Sequence, residues 1–460
     1  MKLFLLSELK KVLFCEIPLE AEICCVSSDT RDLPKGCLFV ALKGDRFDGH
    51  DFVEKAIAAG AVAAVTERQI GTLPCLVVED TGRALLDIGA FYRQKFSPIL
   101  VGITGSVGKT TTKEMVACVL ASQYETLKTQ GNLNNEIGMP KTLIRLETQH
   151  EAAVIEMGMS HFGEISRLSR AARPTIGVIT NIGYSHIENL KTQEGILQAK
   201  LEILDGMEED APLVVNGDDK LLSPLKRELF RPVITYGMYH AKADVQAVDI
   251  VRKPHSTMFS ILTPVGKKYP VTLPCAGEHN IMNALAAFCV GRFAGIEPEQ
   301  ICQTLKNYQT VGLRQNIYRR GAYTIIADYY NASPDSMKAA LSVLHDLPCK
   351  GRHIAVLGDM LELGEMSRQL HTLVGEMVAE FEVDALFCYG KESFYLAQRA
   401  AMQEIPVYHT NDKRELCRVI RQFLRPEDAI LFKASRGMHL EDCISVIFEH
   451  EEEAKDAFLD

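Results

Sequence analysis

Apolar residues in this chain fall into short buried runs and amphipathic stretches, and the way the two alternate changes twice along the sequence. Up to about residue 80 the units are short: CLFVAL (37–42), a helix-like DFVEKAIAAG (51–60), then AVAAVTE and CLVVED as buried strands, together a small α/β unit. GRALLDIGAFYRQKF (82–96) reads as a helical linker into a long alternation of apolar strands and amphipathic helices, with strands PILVGITG, AAVIEMG, TIGVITN and APLVVNGD. That alternation predicts a mostly parallel sheet. Between 233 and 275 the strands crowd together (VITYG, DVQAVDIV, TMFSILTP, KYPVTLP), and helices follow at about 279–294 and 298–307, which reads as an antiparallel flank of the same domain. From about 311 a third alternation begins, with YTIIAD, HIAVLGD, ALFCYG and AILFKAS as strands, and predicts a Rossmann-like domain. The expected fold class is therefore α/β in three domains, 1–81, 82–310 and 311–460, with 308–314 as the hinge before the last.

Composition narrows the function classes. The 460 residues carry 50 Lys and Arg against 60 Asp and Glu, a net charge of −10, so no broad cationic field exists for nucleic acid or anionic lipid. Any anionic substrate has to be met by local features. A hydrophobic fraction of 47% with 24% charge predicts folding throughout, and EHEEEAKD (449–456) is a modest acidic end with a solvating role. MKLFLLSELKKVLF reads as a first helix rather than a signal peptide, because charges interrupt it and no small-residue cleavage site follows. No apolar window approaches a membrane span. The 13 cysteines, none in a C-x-x-C, fit buried thiols in a reducing cytosol better than a disulfide framework or a zinc ribbon.

The most specific chemical signal is strand ILVGIT running into Gly105-Ser106-Val107-Gly108-Lys109-Thr110-Thr111 and then the helical TKEMVACVLAS. This is the strand, glycine loop and helix order of a phosphate-binding loop. Glycines let main-chain N–H groups turn in around phosphate oxygens, and the helix N-terminus adds positive potential. Lys109 reaches the β and γ phosphates, and the Thr110 hydroxyl is placed to ligate Mg²⁺. The spacing departs from the strict pattern, with Ile103 where glycine is standard and glycines at 102, 105 and 108. The competing reading is a glycine turn with an incidental lysine.

A metal-bound triphosphate needs further ligands at the carboxyl ends of neighbouring strands. AAVIEMG ends on Glu156, and TIGVITNIG is followed by His186. Either alone is an ordinary exposed strand end; together, beside a phosphate loop, they form a candidate metal set. Lys200 sits in the middle of the apolar face that Ile196, Leu197, Leu201, Ile203, Leu204 and Met207 make if TQEGILQAKLEILDGM is helical. It is either a side chain snorkelling to solvent or a desolvated, reactive amine. Both readings stand on the residues alone.

These motifs together resemble the Mur ligases, in all three domains. T-G-S-V-G-K-T (104–110) is similar to the family's variant phosphate loop, E-M-G (156–158) to the segment with its metal-binding glutamate, and T-N-I-G-Y-S-H (180–186) to the one ending in its metal-associated histidine. Lys200, in Q-A-K-L-E, falls where the family carries a carbamylated lysine that supports Mg²⁺. G-E-H-N-I-M-N-A-L-A-A (277–287) resembles the adenine-side segment, which implies His279, Asn280 and Asn283 as ATP contacts, with polar helix caps as the plainer account. Arg314 and Asp328 match the nucleotide-closing arginine and aspartate.

Three further strings, T-Q-G-N-L-N-N-E-I-G-M-P (129–140), D-Y-Y-N-A-S-P-D-S-M (328–337) and L-G-D-M-L-E-L-G (357–364), resemble the branch that adds D-alanyl-D-alanine to UDP-N-acetylmuramoyl-tripeptide. The implied substrate contacts are Ser28, Asp29, Thr30, Arg31 and Gly44 in a uridine-nucleotide domain, Asn134 and Asn135, and Tyr330, Asn331, Lys433, Ser435 and Arg436 around the amine substrate. Thr30 stands for a common serine, Tyr329 for a small residue and Ala434 for a glycine, and Lys433, Ser435 and Arg436 read equally as strand-end capping groups.

The resemblance implies an ATP-dependent ligase of cytoplasmic peptidoglycan precursor synthesis, a monomer using two Mg²⁺ ions and a Lys200 carbamate. Its partners are the UDP-linked tripeptide and the dipeptide, with neither nucleic acid nor membrane insertion. The third peptide residue is left open between lysine and diaminopimelate. Within the enzyme class the alternative is a sister ligase adding one amino acid; outside it, a slow ATP-hydrolysing switch, which has no need of Lys200 and Glu156 to activate a carboxylate.

Overall fold

The computed structural model describes residues 2–44, 47–253, 256–309, 316–449 and the short strand Glu453–Ala454. Four parallel strands, Cys25–Ser27, Cys37–Val40, Ala63–Thr66 and Cys75–Val77, make the first sheet. The N-terminus is not the single helix expected. Phe4–Leu5 is a short strand pairing antiparallel with Glu22–Ile23, followed by the 3-10 turn Leu6–Leu9 and the helical turn Lys10–Leu13, an arrangement that buries Phe4, Leu6 and Leu9. Cys25 and Cys37 are register partners on neighbouring strands, with Cα atoms 4.5 Å apart and their sulfurs in contact.

The central sheet has nine strands. From one edge they are Lys268–Leu273, Ser256–Leu262, Val245–Lys253, Val233–Gly237, Leu213–Asn216, Ile176–Ile179, Ile99–Thr104, Ala152–Glu156 and Thr126–Lys128. Pairing is parallel from Val245–Lys253 to the Thr126–Lys128 edge and antiparallel only in the two pairings beyond it, so of the crowded strands expected as an antiparallel flank Val233–Gly237 belongs to the parallel part. Alternate residues serve opposite faces: Val101, Ile103, Val154 and Val178 pack with helices Lys109–Ala121 and Glu278–Phe293, whereas Leu100, Ala153, Ile155 and Ile179 face the other layer. That second layer includes helix Thr81–Arg93, which is no free linker. It buries Ala84, Leu85, Ile88 and Tyr92, and Tyr92 donates to the Leu146 carbonyl at 3.1 Å.

The third sheet has seven strands, with Val407–Thr410, Ala385–Tyr389, His353–Gly358, Ala429–Lys433 and Tyr323–Ala327 parallel, then Asn316–Arg320 and Glu453–Ala454 antiparallel at the edge. Helices cover both faces, Pro334–Asp346 and Ser367–Glu380 on one and Lys413–Phe423 and Glu441–Ile447 on the other. Arg314 and most of the 308–314 stretch lie outside the described residues. Among the described residues no helix is long and apolar enough to cross a membrane.

Strand Ala429–Lys433 is anchored by the residue before it. The fully buried Asp428 accepts from the Arg352 main chain at 3.0 Å, from Arg352 Nη2 at 2.7 Å and from the Arg425 N–H at 2.8 Å. Burial alone would raise this carboxyl, but the hydrogen bonds from Arg352 and Arg425 outweigh it and hold it below the ordinary 3.8. Asp428→Ala is expected to cost about 2–3 kcal/mol in urea unfolding, because Arg352 loses its partner. A depressed carboxylate stabilises above its unfolded value, so the gap between wild type and variant should close as pH falls through the still lower folded value.

Candidate active site

The carboxyl end of strand Ile99–Thr104 turns sharply at Gly105 (φ +149°) and Gly108 (φ +82°) and enters helix Lys109–Ala121. Two side chains from the adjacent strand end hold the loop open. Asn181 Oδ1 accepts from the Ser106 and Val107 N–H groups at 3.1 and 2.9 Å, and Thr180 Oγ1 donates to the Val107 carbonyl at 2.6 Å. Lys109 Nζ folds back over the loop, donating to the Gly105 carbonyl at 2.8 Å. Loop amides around a lysine at a helix N-terminus form an anion cradle.

Beside it lies the acidic group. Glu156, 1% exposed, receives Thr110 Oγ1 at 3.0 Å on one carboxylate oxygen and Asn134 Nδ2 at 2.8 Å on the other. Lys200 is 2% exposed, with no ion pair or hydrogen bond among the described residues. Burial drives its amine well below the ordinary lysine value, and the nearby Lys109 cation adds to this. A desolvated amine is the sharper of the two sequence readings, and the geometry favours it. His186 (φ +62°) places Nδ1 2.6 Å from Glu362 Oε2, a contact made by the C-terminal domain, and that proximity holds the Glu362 carboxyl below its usual range.

A cavity of about 350 Å³ separates the carboxyl edges of the central and C-terminal sheets. Its floor is Ser106, Val107, Gly108, Lys109 and Thr111, and one wall is His279 and Asn283 with Tyr236 and Tyr308. Asn283 Oδ1 accepts from Thr112 Oγ1 at 2.9 Å, which ties helix Glu278–Phe293 to the loop helix, while Asn280 turns back to cap the Ala276 carbonyl at 2.7 Å. The opposite wall comes from the C-terminal domain: Asp328, Tyr330, Asn331 and Lys433. Lys433 is buried and donates to Asp328 Oδ2 at 2.8 Å and to the Asn331 carbonyl at 3.0 Å.

Other expected residues do not reach this cavity. Ser28 and Asp29 line a separate cleft of about 600 Å³ against the central domain, where Lys141 donates to Ser28 Oγ at 2.7 Å. Thr30 is half-buried next to them, Arg31 points outward in a 2.6 Å pair with Asp29, and Gly44 is exposed. Asn135 caps helix Gly138–Leu143 through the Gly138 N–H at 2.8 Å. Ser435 Oγ accepts from the Leu361 N–H at 2.9 Å, and the exposed Arg436 stacks over Tyr330 with 5.4 Å from guanidinium carbon to ring centre. Sequence reasoning missed Thr180, Asn181, Tyr236, Tyr308, Lys141 and Asp335. Thr180 and Asn181 carried a signal, lying in the stretch from which His186 alone was chosen, and so did Asp335, lying in the 328–337 string from which Asp328, Tyr330 and Asn331 were taken.

Three family models match the chain: "Mur ligase family, catalytic domain" over residues 22–80, "Mur ligase middle domain" over 103–291, and "Mur ligase, glutamate ligase domain" over 313–436. The UDP-N-acetylmuramoyl-tripeptide–D-alanyl-D-alanine ligase of Bacillus subtilis is 40% identical over 431 residues, covering 92% of this chain and 93% of that protein. Among solved structures, a MurF crystal structure from Acinetobacter baumannii aligns with a TM-score of 0.90 at 33% identity, covering 98% and 100% of the two chains. MurF from Thermotoga maritima in complex with ADP aligns with a TM-score of 0.81 at 29% identity, covering 92% and 97%.

The loop geometry predicts the effect of one methyl group. A Cβ at residue 105 would lie 1.9 Å from Thr180 Oγ1, on a backbone that side-chain residues rarely adopt. Gly105→Ala should weaken ADP binding by about 10-fold or more, as read by titration with a fluorescent ADP.

Proposed function

The chain belongs to the Mur ligase family, and from that membership we propose that it joins D-alanyl-D-alanine to UDP-N-acetylmuramoyl-tripeptide, with ATP cleaved to ADP and phosphate. The observation that carries this reading is that the likeness to the B. subtilis ligase spans 92% of the chain and so includes the domain that receives the amine. We read the enzyme as a cytoplasmic monomer.

A carboxylate does not accept an amine until one of its oxygens becomes a leaving group. The γ-phosphoryl group of ATP is transferred to the tripeptide carboxylate, which gives an acyl phosphate and ADP. Positioning and charge stabilisation do most of this work. The loop amides and Lys109 cradle the phosphates, while His279 and Asn283 lie on the adenine side with Asn280 holding the helix start. Asp328 and Tyr330, with Asn331 and Lys433 behind them, close the far wall. Ser28, Asp29, Thr30 and Arg31 mark the cleft for the uridine nucleotide.

Hard oxygen donors suit Mg²⁺, which keeps several waters and phosphate oxygens and needs few protein ligands. Thr110 and Glu156 supply such donors 3.0 Å apart. The buried Lys200 amine has no counter-ion among the described residues, which fits conversion to an anionic carbamate on the metal side. His186, whose nitrogen is a weak Mg²⁺ donor by its chemistry, assists at a second ion. When bound, Mg²⁺ neutralises charge on the transferring phosphoryl group.

The test is ADP release with ATP, Mg²⁺ and UDP-N-acetylmuramoyl-tripeptide, with and without D-alanyl-D-alanine, using both lysine and diaminopimelate versions. The expected result is a dipeptide-dependent rate and a UDP-linked pentapeptide by mass spectrometry, reduced about 10²–10³-fold or more in Lys109→Ala. ADP release that needs only a single amino acid, or no amine, would point to a sister ligase or a switch. In parallel, Lys200→Ala should lose about 10²-fold or more and recover in part with short carboxylic acids. No recovery, together with a bare amine by mass spectrometry of the wild type, would remove the carbamate from the mechanism.

A further inference from the structure

One carboxylate at the cavity has no role in the scheme above. Asp335, the second residue of helix Pro334–Asp346, lines the cavity from the C-terminal side, and its Oδ2 is buried without a hydrogen-bond partner. It reaches across to the central domain at Gly183, which has no side chain. A Cβ on Gly183 would fall 2.0 Å from Asp335 Oδ2, so the carboxylate packs against Gly183, whose N–H donates to Ser106 Oγ of the phosphate loop at 2.9 Å.

The neighbouring acids are spoken for. Asp328 receives Lys433, Glu156 receives Thr110 and Asn134, Glu362 lies against His186, and Asp219 accepts the N–H groups of Ile182 and Leu221. Desolvation raises the Asp335 carboxyl above the ordinary range, with Asp219 adding to the rise and the Tyr184 and Asp335 N–H groups and Lys338 opposing it. A buried carboxylate that main-chain N–H groups only partly offset, with Oδ2 left unpaired, is costly unless a further donor arrives with the substrates.

The proposed reaction brings such a donor. An α-amino group with a pKa of about 8 arrives largely as ammonium and has no lone pair for attack until it loses a proton. We propose that Asp335 receives the ammonium group of the incoming amine substrate and takes its proton, which makes it a catalytic base for amide formation; this rests on the ligase reading. The first N–H bond breaks, its proton passes to the Asp335 carboxylate, and the freed pair forms the C–N bond. The acyl C–O bond then breaks, and the departing phosphate leaves with that electron pair and the second proton as hydrogen phosphate. The Asp335 proton goes to solvent afterwards.

The experiment compares full-length wild type with Asp335→Asn, Asp335→Ala and Asp335→Glu. For each, kcat/KM for D-alanyl-D-alanine is measured from pH 6 to 9.5, alongside the one-equivalent ADP burst with tripeptide alone and the thermal unfolding midpoint. Asp335→Asn is expected to lose about 10²–10⁴-fold in kcat/KM for the dipeptide, with a deficit that shrinks at high pH as free amine accumulates. Its ADP burst and tripeptide KM should stay within about threefold, since they precede amine attack, and Asp335→Glu should recover part of the rate. The proposal is overturned if Asp335→Asn keeps its dipeptide kcat/KM within about threefold, or if the ADP burst falls in step with it, the mark of a structural role. Wild type that gives no dipeptide-dependent amide overturns the ligase reading and this role together, whereas active wild type beside an unimpaired variant removes only the role of Asp335.

Discussion

Parallel register around strand Ile99–Thr104 sets every distance in this site. Ile103 is paired with Glu156 on one side and Thr104 with Ile179 on the other, so three strands end level with one another. The glycine loop then starts from the middle strand, flanked by an acid on the left and by Thr180 and Asn181 on the right. Slipping either neighbour by one residue would turn Glu156 or Asn181 to the opposite face. The apolar alternation that buries both sheet faces holds that register, so the hydrophobic pattern and the phosphate site are one constraint seen at two scales.

The C-terminal sheet repeats the arrangement in mirror role. Ala327 pairs with Phe432, which sets Asp328 and Lys433 side by side at the carboxyl edge, and that edge faces the loop across the cavity. Among the contacts that join the edges are Asp335 against Gly183, Glu362 against His186, and the Glu188 N–H donating to the Glu362 carbonyl at 3.3 Å. These land on the 183–188 segment that follows strand Ile176–Ile179. A reactive acyl phosphate survives only where water is excluded.

How far the sequence reached depended on whether a residue's role is local. The phosphate loop, Glu156 and the alternation of strands and helices around them follow from periodicity and spacing, because strand, turn and helix are contiguous in the chain. Helix Thr81–Arg93 was read as a linker because its amphipathic face gives no hint of its partner; Leu146 and Pro140, which it packs against, lie far along the sequence. The N-terminal strand was missed for a similar reason, since two residues pairing with Glu22–Ile23 leave no periodic trace. Family resemblance named Asn135 and Ser435, yet the first caps a helix and the second holds a neighbouring loop, so motif membership did not separate contact from support. Asp335 lay inside the 328–337 string yet was not picked out from it. In the chain it is one more acid at a helix start, and only its burial against Gly183 from another domain makes it chemically unusual.

Lys200 shows why burial has to be read together with neighbours. An amphipathic lysine normally carries its charge to solvent along the stem. This one does not: it is 2% exposed, and the nearest influential charge is the cation of Lys109. A protonated amine there would be opposed by desolvation and by like charge at once, so the neutral form is favoured. A neutral amine is nucleophilic, and in the proposed scheme its reaction with carbon dioxide would give a carbamate whose negative charge would turn the neighbouring Lys109 from a penalty into a partner. The feature that makes the unmodified residue awkward is thus the one that would drive the proposed modification, and the same edge that gathers cations for the phosphates would then gain an anion.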